Sequence, residues 1–209
     1  MAALKKGKCI DTSMGMTPLE GLVMGTRCGD VDPALPFFLA DHLKMSLSEI
    51  DKLLNKESGV KGICGTNDMR EVLEKKKAGD NLAKIAVDVY CYRIKKYIGA
   101  YLAALESLDG LVFTGGVGEN SPDIRHLCCK GLSKLGIEID PQKNNETGKE
   151  IREINSPDRE VKILVVPTNE ELKIAQETRK VIDSQLFRRH KGAKGQRHRD
   201  TIKFSFLFV

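Results

Sequence analysis

The sequence predicts an α/β fold, a mixed sheet flanked by helices, and three observations carry that prediction. Two short β-rich runs, residues 111–113 and 161–166, are each followed by a turn segment and a helix signal, the order that pairs strands in parallel within one sheet. Residues 80–107 carry apolar side chains at helical spacing over a length no strand reaches. Aromatics make up 5% of the chain and Trp is absent, so the core must be built from Leu, Ile, Val, Ala and Met, as where helices cover a sheet.

Taken in order, residues 8–12 read as a strand, and the Gly- and Pro-rich MGMTPLEGLVMGTRCGDVDP as loops and tight turns. Residues 33–43 predict a helix with Asp32 as N-cap and Pro33 at its first position. Ser46 and Glu49 have the spacing of a capping box for a helix carrying Leu47, Ile50, Leu53 and Leu54, which Gly59 should close. Asn67 is the candidate cap of a helix holding Asp68 and Arg70 near its start. In the long helix the expected buried stripe is Leu82, Ile85, Ala86, Val89, Tyr90, Ile94, Tyr97, Ile98, Tyr101, Leu102 and Leu105. After the strand at 111–113 comes the glycine loop TGGVGEN, and Ser121-Pro122-Asp123 opens a helix that buries Ile124, Leu127 and Leu132. Pro167 ends the strand at 161–166, and Thr168-Asn169-Glu170-Glu171 opens a helix to about residue 182.

The net charge of +5 lies at the end of the chain. Residues 188–209 hold seven Lys or Arg against one Asp, which leaves residues 1–187 at −1. We therefore expect a folded domain over 1–187 and a basic, disordered tail over 188–209 whose closing FSFLFV has no evident place in the fold. With the charge confined to the tail and no nucleic-acid motif in the rest, nucleic acid is not the expected partner. The six cysteines show neither a C-x-x-C pair nor a Cys/His metal spacing, and no apolar run is long enough to cross a bilayer. A cytoplasmic protein with reduced thiols and no membrane segment is the expectation.

Three segments can carry chemistry, each with a plain alternative. TGGVGEN can bring backbone close to a bound group, or merely turn the chain; it lacks the third Gly of a dinucleotide fingerprint, and no Walker-type loop occurs. The acids of TNEEL can hold Mg2+ beside nucleotide phosphates, or only offset a helix dipole. Arg27, flanked by Asp30 and Asp32, can clamp phosphate or form a surface ion pair.

The strings DTSMGMTPLEGLVMGTRCGDVDP, NDMRE, DVYCYRIKKYIGAY, FTGGVGENS and VVPTNEEL, in this order and spacing, resemble the C-terminal part of the acetate kinase family. The resemblance runs from about residue 8 to 180 and implies a lobe of the ribonuclease H-like, actin-like ATPase kind shared with sugar kinases and heat-shock ATPases. It implies ATP or ADP with Mg2+, and acetate or acetyl phosphate, with propionate as the alternative acid. It further implies Arg27 as the arginine stabilising the transferring phosphoryl group and Glu170 as the magnesium-associated glutamate. Gly115, Gly116, Val117, Gly118 and Asn120 would form the adenosine-binding loop, with Asp68, Met69 and Arg70 lining the same pocket. A homodimer is implied as well. The family's N-terminal domain, with its acetate pocket and catalytic Asp and His, has no counterpart here, and His42, His126, His190 and His198 match no catalytic histidine. The chain is therefore expected to be an incomplete enzyme, or else a non-catalytic nucleotide-binding or subunit-interaction module.

Overall fold

The computed structural model describes residues 1–189 and 205–208. Strands β1 (Ala2–Lys5) and β2 (Lys8–Thr12) form an antiparallel hairpin closed by Lys6 and Gly7. Both turn residues have positive φ, 53° and 73°, the two-residue turn whose twist matches that of the strands. The sequence reading found β2 and missed β1, because a Lys-Gly pair is a weaker hairpin signal than Asn-Gly.

Helix α1 (Leu35–His42) starts later than predicted. Asp32 accepts the Ala34 amide at 2.8 Å in a turn before the helix, and Pro36 lies in the first turn. Helix α2 (Leu47–Lys56) opens on the expected capping box: the Glu49 amide donates to Ser46 Oγ at 3.3 Å and the Ser46 amide donates to Glu49 Oε2 at 2.8 Å. Gly59 does not close this helix; it begins α3 (Gly59–Cys64). Its φ is +63°, and a Cβ there would stand 2.2 Å from the Met24 carbonyl oxygen and 2.7 Å from that of Arg27. Gly59→Ala should therefore cost about 2 kcal/mol or more in urea unfolding, from backbone strain and overpacking together. A loss below half that would show that the loop yields freely.

Asp68, not Asn67, caps α4 (Met69–Lys77), accepting the Arg70 amide at 2.9 Å. Asp80 caps the long α5 (Asn81–Leu105) through the Ala83 amide at 3.0 Å. Its buried face is Ala83, Ala86, Val87, Cys91, Ile94, Ile98, Tyr101 and Leu105. The expected stripe holds in the C-terminal half and fails at the start, where Leu82, Ile85 and Val89 are exposed. There α3 and α4 pack on α5 with Val60, Met69 and Val72. Small residues at 83 and 86 allow that close approach, whereas the larger side chains turn outward.

Strands β3 (Gly110–Phe113) and β5 (Lys162–Val165) are parallel as predicted, in register from Gly110↔Lys162 to Phe113↔Val165. β3 is buried throughout and β5 at alternate residues, and their Leu111, Phe113, Ile163 and Val165 join the buried residues of α5 in the main core. The glycine segment after β3 is not a loop but a short helix, α6 (Gly115–Asn120), followed by α7 (Pro122–Cys129), whose cap Ser121 accepts from Ile124. Helix α8 (Pro141–Asn145) precedes β4 (Arg152–Glu153), which pairs antiparallel with β5, and α9 (Glu170–Arg189) follows β5.

The apolar end of the chain corrects the sequence reading. Ser205–Phe208 forms β6, seated between β1 and β3, antiparallel to the first and parallel to the second. The sheet order among the described residues is β2-β1-β6-β3-β5-β4. Arg188 and Arg189 continue α9, while the expectation of disorder for residues 190–204 and 209 lies outside the described residues. Because β6 alone joins the β1/β2 hairpin to the rest of the sheet, ending the chain at residue 204 should lower stability by roughly 2–3 kcal/mol, about the worth of a few hydrogen bonds. Amide exchange should then quicken in β1 and at the freed edge of β3; protection unchanged in β1 would contradict the pairing.

Candidate functional site

β3 and β5 end at the same level, and the Val166 amide donates to the Phe113 carbonyl at 2.9 Å. The two segments that leave them, Thr114-Gly115 and Pro167-Thr168, therefore start side by side at the carboxyl edge of the sheet, where ligands of α/β sheets gather. They are bound together. Gly115 N–H donates to Thr168 Oγ1 at 3.0 Å, and the Thr114 and Thr168 hydroxyls lie 3.1 Å apart. Glu119 Oε1 accepts from Gly115 N–H at 2.9 Å, Thr168 N–H at 2.8 Å and Thr168 Oγ1 at 2.6 Å. Desolvation pushes the Glu119 carboxyl up, but these hydrogen bonds outweigh it and hold it below the usual range.

A cavity of about 640 Å3 lies between this segment and the start of α4. It is lined by Asn67, Asp68, Met69, Arg70 and Leu73 on one side and by Gly116, Val117, Asn120, Ser121, Pro122 and Asp123 on the other. Met69, Leu73 and Val117 give it an apolar wall, with polar groups at the rim. A Cβ on Gly116 would meet no protein atom within 4 Å, so the missing side chain leaves room for a guest. Gly115, with φ +72°, and Gly118 line an adjoining cavity of about 220 Å3 that shares Gly116 and Val117 with the first. At the rim Arg70 pairs with Asp68 at 2.6 Å, and that guanidinium holds the Asp68 carboxyl down at about 2.

Arg27 sits in a loop sewn to the α2/α3 junction: Cys28 N–H donates to Leu54 O, Ser58 N–H to Thr26 O and Lys61 N–H to Gly25 O, at 2.8–3.1 Å. Of the two alternatives for Arg27, the surface ion pair does not form with either flanking Asp among the described residues. Asp30 is taken by Arg93, at 2.7 Å, and by the Tyr97 hydroxyl, at 2.9 Å, both on α5. Desolvation and that bond to Asp30 raise the Tyr97 hydroxyl to about 12. Arg27, half-buried, meets only the Met24 sulfur at 3.6 Å and makes no ion pair among the described residues. Its loop approaches Asn67, a lining residue of the large cavity, at Gly25, where a Cβ would lie 3.2 Å from Asn67 Cβ. Glu170 stands two residues past Thr168, exposed with Glu171 in the first turn of α9, behind the cap Asn169. Six predicted residues, Asp68, Met69, Arg70, Gly116, Val117 and Asn120, thus share one cavity; Arg27 and Glu170 line neither it nor its neighbour.

Two supporting residues went unread in the sequence. One is Glu119; its signal was only its place inside TGGVGEN. The other is Arg125, 1% exposed, which donates to Asn144 Oδ1 at 2.8 Å, to the Gly118 and Glu119 carbonyls at 2.9 Å each and to the Asn144 carbonyl at 2.7 Å. Burial, with Arg152 nearby, lowers its guanidinium to about 10, still charged at neutral pH. Among the described residues no group of three or more His, Cys, Asp or Glu forms a metal cage. Glu170, exposed at the start of α9, offers carboxylate oxygen, the kind of donor that a hard cation such as Mg2+ takes. No helix of the described residues is long and apolar enough to cross a membrane.

The profile of the acetokinase family matches residues 1–176. Acetate kinase of Syntrophobacter fumaroxidans is 53% identical over 176 residues, 84% of this chain and 43% of that protein. The crystal structure of Porphyromonas gingivalis acetate kinase superposes with a TM-score of 0.82 at 45% identity, covering 87% of this chain and 46% of that one. A propionate kinase from Francisella tularensis superposes with a TM-score of 0.77 at 50% identity, covering 82% and 44%. The chain spans less than half the length of the curated relatives it matches.

Proposed function

The chain belongs to the acetokinase family, and from that premise we propose that it is the nucleotide-binding part of a phosphotransferase moving a phosphoryl group between ATP and acetate, with propionate as the alternative acid. The observation that carries the reading is the shared cavity of Asp68, Met69, Arg70, Gly116, Val117 and Asn120 beside the carboxyl edge of β3. Its apolar wall suits a flat heteroaromatic base, and Gly116 admits close approach to the backbone.

In this reading Arg27 neutralises charge on the transferring phosphoryl oxygens, since no carboxylate among the described residues already claims its guanidinium. Asp30, held by Arg93 and Tyr97, fixes the loop that carries it. Glu170 would hold Mg2+ through water, and the ion when bound supplies neutralisation of the phosphate charge. The acid substrate and the remaining phosphate grip belong to the N-terminal half of the longer relatives. A homodimer and a cytoplasmic location complete the proposal, with small molecules rather than nucleic acid or membrane as partners.

The test is calorimetric titration of Mg-ADP into the chain, then assay of ATP formation from acetyl phosphate and ADP after adding the N-terminal half of a relative. Binding with turnover restored is the expected result. Absence of binding would overturn the reading. Binding without restored turnover would favour a non-catalytic nucleotide-binding or subunit-interaction module.

A further inference from the structure

We propose that Glu119 is a positioning residue that holds the acidic start of α9, and with it Glu170, against the glycine segment after β3; the proposal rests on the nucleotide and metal reading above. Every residue from 168 to 182 is exposed, so side-chain packing does not fix where α9 begins. Its start is fixed instead by the segment before it, and there one oxygen, Glu119 Oε1, gathers three donors from two chain segments. Two of the three come from Thr168, two residues before Glu170.

Glu119 can do this because it is itself held from behind. Its carbonyl accepts from the buried Arg125, whose guanidinium also grips Gly118 and Asn144. A rigid chain of contacts therefore runs from α8 through Arg125 and α6 to Glu119, and across to Thr168. A charged acceptor suits the hub, because hydrogen bonds to a carboxylate are stronger than those to a neutral oxygen. Without it, Thr168 would be held to the glycine segment only through its hydroxyl, by Thr114 Oγ1 and Gly115 N–H, and its backbone amide would lose its acceptor.

The test uses the full chain and two readouts. In the nucleotide-free protein, Glu119→Ala should speed amide exchange at Gly115 and Thr168 through Leu172 by about tenfold or more, with α4 and α5 unchanged. Glu119→Gln, which keeps an acceptor oxygen, should give a smaller rise. In titrations of ADP with and without Mg2+, Glu119→Ala should abolish most of the gain in affinity that Mg2+ confers and leave the Mg2+-free affinity within about twofold. Glu170→Gln should match that loss, and the double variant should add nothing to it.

If Glu170→Gln leaves the Mg2+ gain intact, the metal reading falls and the proposal with it. If Glu170→Gln removes the gain and Glu119→Ala does not, the proposal alone is overturned. Faster exchange spreading through α5 would also overturn it, because Glu119 would then be a general fold contact. Should the chain bind no ADP, the nucleotide reading fails and the exchange pattern decides the positioning role.

Discussion

Replacing Arg125 by alanine is expected to lower the unfolding free energy by roughly 3–5 kcal/mol, the largest stability loss we foresee for any single side chain here. The guanidinium is buried and has no carboxylate partner among the described residues; its charge is met by the carbonyls of Gly118 and Glu119 at the end of α6 and by both oxygens of Asn144. Removing it strands two buried acceptors on Asn144 and two part-buried carbonyls of α6 at once, and empties the volume of a long side chain. Arg125→Lys, with one ammonium in place of a planar fork, should recover only part of the loss. Chemical denaturation measures both variants. A loss for Arg125→Ala below about 1 kcal/mol would show that water replaces the guanidinium without cost.

Arg27→Ala should do the opposite, sparing the fold and removing activity. In enzyme reassembled with an N-terminal half, turnover should fall by about 10²–10³, the usual worth of one group that stabilises developing charge. The KM for ADP should change little, because Arg27 lies outside the cavity formed by Asp68 to Arg70 and Gly116 to Asn120. Urea unfolding should match the unaltered chain within about 0.5 kcal/mol, since Arg27 has no ion pair to lose. Turnover within threefold of the unaltered protein would remove Arg27 from the reaction.

The two variants divide the site between support and chemistry. Arg125 and Glu119 hold α6 and Thr168 in place, whereas Arg27 has no carboxylate partner among the described residues, and Asp30 is occupied by Arg93 and Tyr97. That second arrangement could not be read along the chain. Asp30 is three residues from Arg27 in sequence, yet its partners are 63 and 67 residues away on α5. Charge proximity in sequence suggested one ion pair, and tertiary packing supplied another.

The features legible in the sequence are those that short-range physics decides. The Ser46/Glu49 capping box, the helix that follows each of β3 and β5 and the acidic start of α9 depend on residues within a turn or two of one another. The glycine segment stood out by composition, although what read as a loop folds as the short helix α6. What only the folded chain decided were contacts between remote segments: the face that α5 turns toward α3 and α4, the buried grip of Arg125 and the joining of two loops at Glu119. The same holds for β6, whose apolar residues carry no local sign of the slot between β1 and β3. Strand pairing and burial are set by which surfaces meet, and a one-dimensional pattern records only the surfaces on offer.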